Sequence, residues 1–332
     1  MTPQQAKVAA LFERGLSDSE IAREMGYATV HGVRAMRSRA GLRRERKGDV
    51  IIQDAPPARG LFSIITEKRL DVPKIKLMPM VDAAEMIVTG DWHVPTSNWD
   101  YLETMCQFGA RHMKKGARRL ALVGDLFNFD AISKYDHVSP PVSVNHELNA
   151  AEATLDYVMD VFDEVYFTMG NHDQRFTKLM AGTFGVERLQ RLFVKHLESG
   201  RFKATDLRQM ETRSGGVDWR LTHQHNYSRN KGIVAQQLCL KFQTNIISHH
   251  EHHVGSGRDV YNRYTWINNG MMGDYEKMPY VMDADSISPV MCNGFTFLRN
   301  GTGHLLTPYP SMTDWDMWGL GNSVKLQQLK AA

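Results

Sequence analysis

Cysteine is scarce. The 332-residue chain has three, Cys106, Cys239 and Cys292, scattered without paired spacing. That excludes a disulfide framework and a zinc ribbon, and it points to a reducing compartment. No apolar run approaches the roughly 18 residues that a membrane helix needs. The early charges of MTPQQAKVAALFERG leave no room for a signal-peptide core. Internal repeats and low-complexity tracts are absent as well. With 42% hydrophobic and 23% charged residues, the composition is that of a soluble globular protein, and the cytoplasm is the expected location.

Net charge is also small, +3, but it is unevenly placed. Residues 1–50 carry ten Lys/Arg against six Asp/Glu, which leaves 30 against 31 for the remainder. Most of the early positive charge falls late, at Arg34, Arg37, Arg39, Arg43, Arg44, Arg46 and Lys47, a placement suited to phosphates. The same segment has the pattern of three short helices. Ala6, Val8, Ala9, Leu11 and Phe12 give the first an apolar side. Ser17 with Glu20 predicts a capping box for the second, and Gly26 its stop. Thr29 is placed to cap a third, in which Val30, Val33 and Met36 recur at helical spacing. A short helix, a tight turn and a basic helix make the helix-turn-helix pattern.

Residues 49–84 are interrupted by proline and show no sustained period, as expected of a linker. From Glu85 onward short apolar runs alternate with helical stretches, which predicts an α/β domain over 85–332. Strands are expected at Met86–Thr89, Leu120–Val123, Val165–Met169, Trp219–Thr222 and Asn245–Ser248. Helices are expected near 99–115, 147–161, 184–198 and 230–242, with further strands beyond Gly255. Each of the five strands runs into metal-ligand chemistry: MIVTGDWH into Asp91 and His93, LALVGD into Asp125, and VYFTMGNHD into Asn171, His172 and Asp173. WRLTHQH runs into His223 and His225, and NIISHHEHH into four histidines. Any one of these has an ordinary reading as a turn or cap, but five in succession point to one crevice at the carboxyl ends of a sheet.

In that order the motifs resemble the calcineurin-like metallophosphoesterases, from about Glu85 to about Pro308, with GNHD the most specific element. The stretch GDLFNFDAISKYDHVSPP is further similar to phage-encoded members, which would place the protein in a host cytoplasm. The resemblance implies a four-layer α/β/β/α sandwich and a two-metal site. In it Asp91, His93 and His252 hold one ion and Asp125 bridges, while Asn171, His223 and His250 complete the second. His172 is then a catalytic group facing substrate, and Asp173 its orienting partner. Ligands without thiolate suit Mn²⁺ first, with Fe, Zn²⁺ or Ni²⁺ as alternatives. His225 is an alternative to His223, and His249 and His253 are expected to point away. Asn128 stands where the family often has an acid. The implied chemistry is attack on a phosphoester by hydroxide generated on the metal pair.

LSDSEIAREMGYATVHGVRAMRSRAGL in turn resembles the DNA-binding helix-turn-helix of bacterial and phage regulators. It implies base contacts from Thr29, His31 and Arg34 and phosphate contacts from Arg37, Arg39, Arg43 and Arg44, within a module over 1–48. The plainer reading is a three-helix bundle with a solvated basic face. Together the two parts predict a hydrolase of nucleic acid, either a nuclease or phosphodiesterase or a DNA-end phosphatase. The alternatives are a small-molecule or protein phosphatase or cyclic-nucleotide phosphodiesterase, and a DNA-binding regulator with a structural phosphoesterase domain.

Overall fold

The computed structural model describes residues 2–27, 29–42, 78–134, 140–180, 189, 191, 199–278 and 291–308. The chain forms two compact units, residues 1–74 and 75–332.

In the first unit, α1 (Pro3–Glu13), α2 (Asp18–Glu24) and α3 (Val30–Arg39) enclose Val8, Leu11, Ile21, Ala22 and Val33. The capping box forms as expected: the Glu20 amide donates to Ser17 Oγ (3.3 Å) and the Ser17 amide to Glu20 Oε2 (2.7 Å). Gly26 ends α2 at φ 69°, a conformation that costs glycine little. Thr29 stands at the head of α3, but its side chain makes no capping hydrogen bond.

The second unit contains two six-stranded sheets. One has the order β12-β11-β2-β3-β4-β5, from Thr302–Leu306, Phe295–Arg299, Glu85–Thr89, Arg119–Val123, Glu164–Thr168 and Phe202–Thr205. The other runs β1-β6-β7-β8-β10-β9, from Val81–Asp82, Gln209–Ser214, Val217–His223, Asn245–His249, Thr265–Asn269 and Val254–Arg258. Side chains alternate across each strand, so residues i and i+2 share a face. Met86, Val88, Ala121, Val123 and Tyr166 of the first sheet accordingly meet Met210, Trp219, Leu221, Ile247 and Ile267 of the second in one core. The intervening Ile87, Leu120, Leu122, Val165 and Phe167 point the other way, into a core shared with α4 (Trp99–His112) and α5 (Val144–Val161). On the outer face of the second sheet, Ala235 and Cys239 of α7 (Ile233–Phe242) pack on Ile246. These layers make the expected α/β/β/α sandwich.

One boundary differs from expectation. Val81–Asp82, placed by the sequence in the linker, pairs in parallel with β6, and Val81 and Met78 join the core between the sheets. The apolar contacts of Val81 outweigh the proline-interrupted local pattern. The helix expected near 184–198 lies outside the described residues, apart from single positions.

Parallel β2-β3-β4 and parallel β7-β8 bring the ligand-bearing ends into line. Val123 is in register with Thr168, and His223 with His249. The loop after β3 is anchored from α5 by the buried Glu147, which accepts the Phe129 amide at 2.6 Å. Burial raises that carboxyl from 4.5 to about 8, in spite of the amide. A folded pKa above the unfolded one contributes stability that is complete below 4.5 and is lost as pH rises to about 8. Glu147→Gln keeps an acceptor for the amide and removes the ionisation. Its urea midpoint should therefore match wild type below pH 4.5 and exceed it above pH 8; parallel pH profiles for the two proteins would contradict this.

Candidate metal centre

Five of the residues at the strand ends are non-glycine positions held at positive φ: Asp91 (51°), His93 (48°), Asp125 (50°), His250 (87°) and His252 (58°). Such conformations are uncommon for side-chain-bearing residues, and they gather where function holds strain. Here they turn side chains sharply out of the strand direction and into one crevice. Three groups of ligand atoms result: Asp91/His93/His252, His93/Asp125/His172 and Asp125/His223/His250, each lying within 4.8 Å of one another. Asp125 is common to two of them. Asp91, His93, Asp125, His223 and His252 are buried, whereas Asn171 and His250 are partly exposed and mark the open side.

Close backbone approach makes this possible. A Cβ on Gly124 would lie 2.5 Å from His223 Nδ1, and one on Gly170 would fall on Asp125 Oδ1. The glycines before Asp91, Asp125 and Asn171 are therefore packing requirements between strands as well as turns.

The donor set fits divalent cations. His93 Nε2 and His252 Nε2 face each other at 3.2 Å, and His252 Nε2 is 3.1 Å from Asp91 Oδ1. Two imidazole lone pairs so close repel unless a proton or a cation lies between them. His93 Nδ1 is buried without a partner among the described residues. On the other side, His223 Nε2 is 2.9 Å from Asn171 Oδ1 and 3.3 Å from Asp125 Oδ2. Burial alone would raise Asp91 and Asp125, but the surrounding histidines, His223 foremost, outweigh it and hold both well below the usual carboxylate range. Burial pushes His93 down, and it likewise takes His250 to about 4. Ionised carboxylates beside neutral imidazoles are the forms that bind metal. His223 is the exception: burial lowers it, but Asp125 and Asp91 raise it to about 9, so its own proton occupies ground suited to a cation.

Two expectations are corrected. Asp173 does not orient His172. Its carboxylate accepts amides from Gly170 (2.7 Å), Asp125 (2.8 Å) and Phe127 (3.1 Å), because α6 (Asp173–Leu179) starts where three backbone donors converge. Burial and the Asp125 charge push this carboxyl up to about 7. His172 is oriented instead by the Asn128 carbonyl, 2.7 Å from Nδ1; a carbonyl only accepts, so Nδ1 carries the proton. The Asn128 amide donates to Asp130 Oδ2 at 2.7 Å, which is its role where the family often has an acid.

Nor does His249 point away; it is buried, as is His253. His249 Nδ1 is 3.0 Å from Asp91 Oδ2 and its Nε2 is 3.1 Å from the Asn269 amide nitrogen, so His249 fixes a candidate ligand carboxylate. It stands in register with His223 on the neighbouring strand, a placement that spacing along the chain does not show. His225 is exposed while His223 lies in the crevice.

In the first unit Thr29, His31, Arg34 and Arg39 are exposed. Arg37 is turned inward by comparison. It sits 3.4 Å from Asp18 Oδ2 and over the Phe12 ring, and Arg34 shares Asp18 at 3.5 Å. Arg43 and Arg44 lie outside the described residues. No helix among the described residues is long and apolar enough to cross a membrane.

Residues 85–272 match the calcineurin-like phosphoesterase family. No curated protein matches the chain. Among solved structures, the chain is similar to Vps29 of Chaetomium thermophilum at 11% identity, covering 65% of this chain and 84% of that one, with a TM-score of 0.37. A conserved, predicted phosphoesterase of Streptococcus pneumoniae TIGR4 gives 12%, 68%, 89% and 0.32 in the same terms. Entamoeba histolytica Vps29 complexed with zinc gives 12%, 64%, 84% and 0.33.

A histidine that fixes a ligand carboxylate contributes to metal affinity without touching the metal. His249→Ala should weaken manganese binding by about 10- to 100-fold, the usual effect of losing such a partner. Metal titration followed by calorimetry would measure it; unchanged affinity would show that Asp91 needs no such support.

Proposed function

This chain belongs to the calcineurin-like phosphoesterase family, and from that premise we propose that it is a metal-dependent hydrolase of nucleic-acid phosphoesters, a nuclease or phosphodiesterase or a DNA-end phosphatase. The observation that carries the substrate reading is a cationic rim on the open side of the crevice. His225, two residues past His223, is within electrostatic reach of Arg208 and Lys178. Arg208 also feels the charges of Asp125 and Asp173, and donates to Gln174 Oε1 at 2.6 Å. Positive groups beside the reacting position suit a substrate with further phosphates along its backbone.

In this reading Asp91, His93 and His252 would hold one divalent ion, Asp125 would bridge, and Asn171, His223 and His250 would complete the second. Manganese suits these ligands first, with iron, zinc or nickel as alternatives. When bound, the pair supplies Lewis acidity to the phosphoryl group and to water. The protein's own part is to hold that geometry and to manage a proton. His172, with Nδ1 fixed by Asn128, keeps Nε2 as the position that exchanges a proton with substrate oxygen. Asp173 acts through the backbone of the two ligand loops.

The three-helix unit is read as the DNA handle, with Thr29, His31 and Arg34 at base edges and Arg39, Arg43 and Arg44 at phosphates. Arg37, engaged with Asp18, is the weakest of the proposed phosphate contacts.

A protein beginning at Ile75 retains every proposed ligand. It should hydrolyse a bis-ester reporter with Mn²⁺ as the full chain does, yet bind duplex DNA more weakly and with a flatter salt dependence. Arg39→Ala in the full chain should flatten that dependence by about one unit if it neutralises one phosphate. Fluorescence anisotropy over a salt series, beside cleavage of single- and double-stranded DNA and RNA, reads both. Reporter hydrolysis without cleavage or end-dephosphorylation of any nucleic acid would sink the substrate reading in favour of a small-molecule or protein phosphatase.

A further inference from the structure

We propose that Arg175 is a substrate-binding residue, its Nη2 donating to a non-bridging oxygen of the phosphoryl group; the proposal rests on the phosphoesterase reading of the same crevice. Arg175 lies two residues past the GNHD motif, in the first turn of α6. Its Nη1 donates to the Asn128 carbonyl at 2.9 Å and to Asp130 Oδ1 at 3.0 Å. These two contacts fix the plane of the guanidinium. Its Nη2 then lies 3.2 Å from His172 Nε2. The tautomer of His172, set by Asn128, makes that nitrogen a lone-pair acceptor, so Nη2 donates to it.

The unequal quality of these contacts carries the argument. The charge of Arg175 is matched at Nη1, where Asp130 is itself held by the Asn128 amide. At Nη2 the same cation meets only a neutral imidazole, and no carboxylate reaches that nitrogen among the described residues. Hydrogen bonds between a guanidinium and an anionic oxygen are shorter and about twice as strong as those to neutral acceptors. An incoming phosphoryl oxygen therefore displaces the imidazole from Nη2, and the exchange frees His172 Nε2 toward the substrate. The side chain is 17% exposed, enough to present one edge while the rest is buried. His172 lies in the His93/Asp125 ligand group, which puts this edge beside the place where a phosphoryl group would sit. A purely structural arginine needs the Asn128 and Asp130 contacts but gains little from placing a further donor against the catalytic ring.

The experiment uses the full chain loaded with Mn²⁺ and inorganic phosphate as the probe, read by calorimetry with metal content measured alongside. Arg175→Ala should weaken phosphate binding by roughly 10- to 100-fold, the range for one hydrogen bond to a charged group, with metal content unchanged. Added guanidinium ion should restore part of that affinity, which a structural role does not predict. Arg175→Lys, which keeps the charge and loses the fork, should fall between the two and serves as the test should the alanine variant fold poorly. In reporter hydrolysis, KM should rise in both variants by more than kcat falls. Phosphate binding equal to wild type in either folded variant overturns the proposal while leaving the phosphoesterase reading standing. A wild-type protein that neither binds phosphate nor hydrolyses the reporter overturns both.

Discussion

One carboxylate sets the geometry of the crevice. Asp173 gathers the amides of Gly170, Asp125 and Phe127, and so ties the loop leaving β4 to the loop leaving β3. Both loops carry proposed ligands, and past the strand ends the amides of Gly170, Asp125 and Phe127 find their acceptor in this side chain. Buried backbone donors without partners are costly, so three of them converging on one acceptor set the loop conformations strongly. Asp125 and His172 lie on the loops so tied, as does Phe129, which is left-handed at φ 49°. Glu147 repeats the device one step outward, taking the Phe129 amide from the side of the helix.

The second sheet contributes differently. His223 and His249 stand side by side at the ends of β7 and β8, one facing Asp125 and the other Asp91. A single register thus serves both halves of the centre. A slip of one residue would turn every side chain on β8 to the opposite face and break the packing of Ile247 at the same time. Core and site are specified together, and the buried polar residues are tolerable because each carboxylate is matched by imidazoles or amides.

Much of this was legible in the residues. The five expected strands lie within a residue or two of the observed ones, because strands covered on both faces read as short apolar runs, three of them before a glycine. The layer order and the convergence of the ligands followed. What escaped the sequence depended on contacts between distant segments. β6, QMETRS, alternates in burial but is too polar to stand out, and β1 is visible only through its pairing with β6. The resemblance implies Asp173 as a partner of His172, yet its carboxylate turns back to the amides of the preceding turn and of the neighbouring loop. His249 has no place in the i, i+2 pattern; its role arises across strands, where spacing along the chain says nothing. Arg175 gave no signal at all until its neighbours across the fold were known.

The distances along the chain between facing groups carry a consequence for folding. His252 meets Asp91 across 161 positions, and Asn171 meets His223 across 52. Contacts of such long range form only when distant segments of the chain have come together. No fragment holding one or two of the motifs can therefore form a high-affinity metal site in advance, and a nascent chain does not trap ions before it is folded. Once the sandwich closes, divalent metal acts as a folding ligand: at a free concentration one hundred times its dissociation constant it adds about 2.7 kcal/mol to the native state. An ion that binds only the folded chain thus links metal supply to the stability of the sandwich.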